Sequence, residues 1–291
     1  MKALVTGANG AVGTHMTREL GARDWDVTAV DIASGGDCLE LFRDLDAPRY
    51  DLVVHLAALI GGRAGIDGVN LNFAKDLQMD AAAIEWAVRT RQKRFLAFSS
   101  SAAYPVYMQT KHMHRPLRED DLNLDIGQPD SDYGWTKCVL ERLVATARAN
   151  GLPCTVVRPF SGYSHEQSTD YPFMAIVNRA RQGDLSVFGP LGQLRDFVHL
   201  DDVVSAALAV VESGDNRPVN ICTGRPVEFG ELARMIFGAA NPDYVPVPQV
   251  DYLEYKPTGV FARVGDPSRL LEHYTPKISL EEGIQRALNS Q

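Results

Sequence analysis

The sequence predicts an α/β fold, a doubly wound parallel sheet with a smaller α/β cap beside it. Three observations carry that prediction. Up to Arg158, short apolar runs alternate with longer stretches of helical period. A glycine-spaced turn, Thr6-Gly-Ala-Asn-Gly-Ala-Val-Gly13, directly follows the first run. After Arg158 the alternation breaks, and Pro159, Pro172, Gly189 and Pro190 punctuate the chain. Apolar strands joined by helical crossovers stack as parallel strands covered on both faces.

The strands are expected at 3–6, 26–31, 52–56, 94–99 and 154–158, and the helices near 12–22, 77–91 and 133–150. A further helix at 201–212 and a strand at 218–222 restore the earlier rhythm. The expected division is therefore a dinucleotide-type domain over 1–162, with 198–222 returning to it. A substrate-binding part would comprise 163–197 and 223–291. No internal repeat or low-complexity tail is visible.

The 29 basic and 37 acidic residues leave a net charge of -8. A surface that grips a phosphate backbone or an anionic membrane needs a basic surplus, so nucleic acid and membrane partners are not expected. No apolar run approaches the ~20 residues of a membrane span. Cys38, Cys138, Cys154 and Cys222 lack Cys-x-x-Cys or metal-ligand spacing. With a chain that opens directly on a strand, they point to a reduced, cytoplasmic setting. His112 and His114 stand two apart in a loop without carboxylate or cysteine neighbours, so they are read as loop polarity and no metal is expected.

The glycine turn lies between a strand and an amphipathic helix, the context of a Rossmann-type dinucleotide site. Gly7 permits the tight turn, Gly10 lets backbone approach a pyrophosphate, and Gly13 lets helix and strand pack closely. The diphosphate would rest on N–H groups of Asn9, Ala11 and Val12 at the helix start. Asp31 ends the second strand, where a carboxylate accepts both ribose hydroxyls of NAD and repels the extra phosphate of NADP. No arginine or lysine follows it at 32–35, so NAD is the expected cofactor. Asp44 and Leu45 are candidates to flank the adenine, or else form an ordinary solvated helix end.

Tyr133 and Lys137 are four apart, on one face of a helix. A phenol titrates near ~10, and an adjacent ammonium favours its phenolate. Such a tyrosine can exchange a proton at neutral pH. The strand preceding Ser99-Ser-Ser101 runs into three hydroxyls, at the carboxyl end where ligands of open α/β sheets collect.

These segments, with His55-Leu-Ala-Ala58, Ser99-Ser-Ser-Ala-Ala-Tyr104 and Arg158-Pro-Phe160, occur in an order that resembles the extended short-chain dehydrogenases, the nucleotide-sugar epimerase and dehydratase family. Arg195-Asp-Phe-Val-His-Leu-Asp-Asp202, Asn220-Ile-Cys-Thr-Gly224 and Pro276 to Gly283 resemble the C-terminal signatures of that family. The resemblance implies that Tyr133 is the acid/base and that Lys137 orients the nicotinamide ribose. Ser100 would polarise the reacting sugar oxygen, with Ser101 beside the substrate as the alternative. It places Leu56, Ala57, Ala58 and Ser99 along the cofactor and Ser161 in the sugar pocket. Arg195 and Arg263 become the cations for the substrate diphosphate. A homodimer through the helices near 77–91 and 133–150 is implied, with Ile84, Val88, Val139, Leu140 and Leu143 available either to it or to the sheet.

Departures from the pattern narrow the reaction. The 4,6-dehydratases carry Asp-Glu after the catalytic hydroxyl, where this chain has Ser101 and Ala102. Gly61-Gly62, Tyr104-Pro105 and Lys256-Pro-x-Gly259 look like the branch of GDP-fucose synthases and GDP-mannose 3,5-epimerases. That branch has a cysteine at the position of Ala102, and its partner base falls near Tyr171, with His165 close in sequence. The stretch at 76–81 also differs from the Asn-Val-x-Gly-Thr usual after the third strand. The expected activity is therefore C4 epimerisation of a nucleotide-diphosphate sugar with retained NAD. The alternatives are an NAD(P)H-dependent 4-keto-sugar reductase and a non-catalytic dinucleotide-binding sensor or structural subunit.

Overall fold

Six parallel strands form the central sheet. They are β1 (Lys2–Thr6), β2 (Asp26–Val30), β3 (Leu52–His55), β4 (Phe95–Phe98), β5 (Cys154–Pro159) and, far along the chain, β6 (Val219–Ile221). The computed structural model describes residues 1–59, 71–189, 192–244, 249–253 and 259–290. The spatial order is β6-β5-β4-β3-β1-β2, so the chain reverses direction across the sheet between β2 and β3. In such a sheet the crevice lies beyond the carboxyl ends of the two strands flanking the reversal, here β1 and β3.

Alternate residues of each strand feed opposite faces. Ala3, Val5, Leu52, Val54, Leu96 and Phe98 pack with Met16 and Leu20 of the Ala11–Ala22 helix and with the Leu200–Ser213 helix. Leu4, Val53, Phe95 and Ala97 pack on the other face with Trp86 of the Asn72–Arg89 helix and Val144 of the Asp132–Ala149 helix. Each fully buried side chain of this size contributes roughly 1.5–3 kcal/mol. The segment 200–221 therefore covers one face of the sheet and supplies its β6 edge. A separate core unites the Pro172–Arg181, Phe229–Ala240 and Leu280–Asn289 helices.

The strands fall within one residue of their expected bounds, but the helix after β3 begins at Asn72, five residues before the expected start. Its first turns lack an apolar period, and Asp76 is drawn inward by partners the periodicity does not reveal. Of the five residues available to a second copy, Ile84 and Leu140 lie in the core. Val88 and Leu143 pack against it, and Val139 stays exposed. The Gly61-Gly62, Val245-to-Pro248 and Lys256-to-Thr258 segments lie outside the described residues.

His199 is buried, with its ring edge-to-face against His15 and Tyr163. Its Nδ1 accepts the Asp201 N–H at 3.2 Å and so caps the Leu200–Ser213 helix. Burial pulls its pKa down to about 4, against the opposing pull of Asp201. Between the ordinary value near ~6.5 and about 4, the unfolded chain binds more protons at this site than the folded one. Stability should therefore fall as pH drops through that window, by about 3 kcal/mol at the limit. Urea unfolding across that range checks this, and His199→Gln should flatten the curve there.

Candidate active site

A cleft of about 410 Å³ opens beyond the carboxyl ends of β1, β3, β4 and β5. Its floor begins at the glycine turn. Gly7 has φ +69°, and a Cβ there would lie 2.7 Å from Ala57 N. A Cβ at Gly13 would lie 2.1 Å from Gly7 O, so only glycine lets this helix start so close to the strand. The helix is capped by Gly10 without a side-chain hydrogen bond. A Cβ at Gly10 would meet only Gly7 O, at 3.3 Å, and would otherwise project into open space. Gly7, Gly10, Ala11, Val12 and Gly13 line the cleft. An uncapped helix start under a glycine cradle fits a dinucleotide pyrophosphate.

Asp31 is outside the cleft lining. Its carboxylate accepts Asn9 N (3.0 Å) and Ala33 N (2.9 Å), tying the glycine turn to the end of β2. Both bonds are to backbone, and a carboxylate retains lone pairs for ribose hydroxyls. Leu56 and Ala58 line the cleft, whereas Ala57 packs inward. Asp44 and Leu45 are elsewhere. The Asp44 carboxylate accepts Asp46 N (2.9 Å) and its carbonyl accepts Trp86 Nε1 (2.8 Å). Leu45 lines a separate groove with Phe42 and Trp86.

Beyond β4, Ser99 and Ser100 line the cleft and Ser101 does not. Ser99 Oγ donates to Glu141 (2.5 Å). Ser100 Oγ accepts Ala102 N (3.1 Å) and keeps its own proton to donate. Ser101 is buried in the turn that follows. That turn packs on the start of the Asp132–Ala149 helix, where a Cβ at Gly134 would come within 2.5 Å of Ala102 O. Ser131 caps the same helix, accepting Gly134 N (3.2 Å). The close contact brings Tyr133 and Lys137 onto the cleft wall that carries Ser100.

Lys137 Nζ stands 5.6 Å from the Tyr133 ring centroid. Burial pulls the ammonium pKa down, but Asp80, Tyr133 and Asp76 outweigh it and hold the group above the ordinary lysine value. Ser161, Tyr171 and Arg195 also line the cleft. The Arg195 guanidinium lies 5.5 Å from the Phe229 ring centroid and donates to Leu194 O (2.7 Å). Arg263 is not in the lining. Its guanidinium is engaged by Gln109 Oε1 (2.7 Å) and Asp130 Oδ1 (3.2 Å). His165 is also outside the lining, and His114 packs at a tilt against Phe261.

Several cleft residues are not foreseen from the sequence, Phe229 and Gln167 among them. Phe229 backs Arg195, and Gln167 donates to Gly162 O (2.9 Å) while its Oε1 is buried without a partner among the described residues. Neither carries a local signal, because each reaches the cleft through the fold of the second half. One group outside the cleft has metal-like spacing among the described residues, Asp215, Glu272 and His273. Arg217 already bridges its two carboxylates.

The reversal in the sheet, the glycine cradle and the Tyr133–Lys137 wall define a dinucleotide-dependent enzyme of the Rossmann class. The chain belongs to the NAD dependent epimerase/dehydratase family, whose model matches residues 3–222, and its cofactor is NAD. It is 25% identical to a GDP-L-fucose synthase of Sinorhizobium fredii, over 98% of this chain and 94% of that protein. A UDP-glucuronate 4-epimerase of Thermodesulfobacterium geofontis is 27% identical, over 81% and 71%. The crystal structure of UDP-glucose 4-epimerase from Thermotoga maritima with UDP-glucose superposes with a TM-score of 0.85, at 25% identity, covering 99% of this chain and 97% of that one. Relatives of this kind support a nucleotide-sugar epimerase, dehydratase or reductase.

Proposed function

We propose that the protein is an NAD-dependent nucleotide-sugar 4-epimerase. The observation that carries this reading is the inventory of the cleft wall. Among the described lining residues there is no aspartate, glutamate or cysteine. The titratable groups there are His55, Tyr133, Lys137, Tyr171 and Arg195. Inversion at C3 or C5 removes a proton from carbon and needs a base and an acid on opposite ring faces. Ala102 supplies neither. Burial, with help from Tyr133 and Asp170, raises the Tyr171 phenol, so Tyr171 can donate a hydrogen bond but is a poor base.

Inversion at C4 asks less of the chain. Bound NAD supplies the hydride acceptor and donor. Tyr133 takes the C4 hydroxyl proton as the ketone forms and returns it as the alcohol re-forms, so protons and electrons balance within one turnover. Ser100 holds the reacting oxygen by hydrogen bond, and Lys137 keeps positive charge beside the phenol. Arg195 is the proposed cation for the substrate diphosphate, with a planar fork suited to its oxygens. Asp31 is the proposed partner of the adenosine ribose. The proposed assembly is a homodimer in which Val139 supplies exposed apolar surface.

The test is incubation with a panel of UDP-, GDP- and dTDP-sugars without added reductant, followed by NMR of the products. Inversion at C4 with no net change in reduced cofactor is expected. The fucose synthase relative favours a second reading, reduction of a 4-keto sugar. Steady consumption of reduced cofactor with a 4-keto substrate, and no inversion of the panel sugars, would establish that reading instead.

A further inference from the structure

The Asn72–Arg89 helix carries two acids, Asp76 and Asp80, one turn apart and both buried, at 7% and 3% exposure. Like charges at this spacing weaken a helix, and burying each is costly without compensation. The compensating groups come from two other elements. Lys137, itself buried, faces both acids from the Asp132–Ala149 helix. His55 faces them from the end of β3. Asp76 Oδ1 also accepts Leu59 N (2.7 Å).

The contacts leave the cluster partly satisfied. His55 Nδ1 and Thr6 Oγ1 share a hydrogen bond of 2.7 Å. His55 Nε2 lies 3.3 Å from Asp80 Oδ1, close enough for an ion pair but poorly aligned for a hydrogen bond. Asp80 Oδ2 has no partner among the described residues. One ammonium against two carboxylates leaves one excess negative charge unless the acids and His55 together hold a proton. Burial first, and then Asp80, raises the Asp76 pKa, which makes its carboxyl a ready proton acceptor.

We infer that Asp76 and Asp80 are positioning residues that hold Lys137 as a buried cation and, together with it, set the pH range over which Tyr133 exchanges its proton. Lys137 lies on the helix of Tyr133, Tyr171 is close enough to Tyr133 to feel its charge, Asp76 and Asp80 act on Lys137, and His55 acts on Asp76. Removing one carboxylate charge has two effects of the same sign. The ammonium loses a stabilising neighbour and releases its proton at lower pH. While it stays charged, the phenolate beside it loses a repelling carboxylate and also forms at lower pH.

The inference rests on Tyr133 as the proton-exchanging group, but its test needs no turnover. The chain has 10 tyrosines. The phenolate absorbance of the NAD-loaded protein minus that of its Tyr133→Phe variant isolates one of them. In Asp80→Asn and Asp76→Asn, each compared with its own Tyr133→Phe double variant, the pH midpoint of that difference should move down by about one unit, a tenfold change. Asp80→Glu, which keeps the charge, should hold the wild-type midpoint and serves if an asparagine variant does not fold. Midpoints unmoved in the folded asparagine variants would overturn the inference and leave the acids a structural role. A shifted midpoint with no inversion of any nucleotide sugar would overturn the proposed reaction and leave this inference standing. C4 inversion with an unmoved midpoint would do the reverse.

Discussion

Replacing Tyr133 by phenylalanine is expected to cut turnover of the nucleotide sugar by roughly 10²–10⁴-fold, the usual contribution of a positioned proton-transfer group. NAD affinity should change little. The ring is kept, so Lys137 retains an aromatic face 5.6 Å from its Nζ. The glycine cradle lies on β1 and the Ala11–Ala22 helix and does not depend on the phenol. Only the hydroxyl is lost, and Tyr171, the other phenol of the described lining, is held protonated. Initial rates and an NAD titration, run on the same preparation, check both halves. A variant that keeps turnover within a fewfold of wild type would remove Tyr133 from the acid/base role. Loss of NAD binding would instead mean that the substitution disturbs the cradle.

The second large effect is on stability. Arg158→Leu should cost about 3–5 kcal/mol, the range for removing one partner of a buried ion pair. Arg158 on β5 is 3% exposed. It donates to both Glu141 oxygens (2.8 and 2.7 Å), to Tyr104 Oη (2.9 Å) and to Glu119 O (2.7 Å). Leucine would leave the Glu141 carboxylate with Ser99 Oγ as its remaining side-chain donor. Because Ser99 precedes Ser100, the loss should also loosen the cleft wall. Urea unfolding gives the cost. Adding Glu141→Leu should recover much of it, since an apolar pair in place of a buried ion pair is often near neutral. A loss under ~1 kcal/mol in the single variant would mean that Glu141 finds solvent or a proton easily.

What was legible in the sequence was local. The Thr6-to-Gly13 turn, the strand ending at Asp31 and the Tyr133–Lys137 spacing each express a constraint within one strand-turn-helix unit, and the family match agrees with that class of fold. Long-range pairings were hidden. Arg263 looked like a ligand for phosphate, yet Asp130, far earlier in the chain, engages it. The resemblance prefers Ser100 to Ser101, and the turn at 101–103, pressed against Gly134, is what turns Ser100 to the cleft and Ser101 inward. Asp76 and Asp80 had a readable spacing, but their burial depends on Lys137, which comes from another helix. Gln167 and Phe229 reach the cleft only because the second half of the chain folds back over it.

That fold-back has a consequence for how such proteins diversify. The Ser161–Tyr163 and Phe197–His199 strands pair side by side, one where the chain leaves the sheet region and the other where it returns. The Leu200–Ser213 helix and β6 then complete the sheet before the chain leaves again. The lobe facing the sheet is thus drawn from two stretches of chain separated by the Leu200–Ser213 helix and β6. Exchanging it between relatives would require coordinated junctions in both stretches. Single substitutions along the cleft wall, at positions such as Ser161, Tyr171 or Gln167, are the easier route to a new sugar preference.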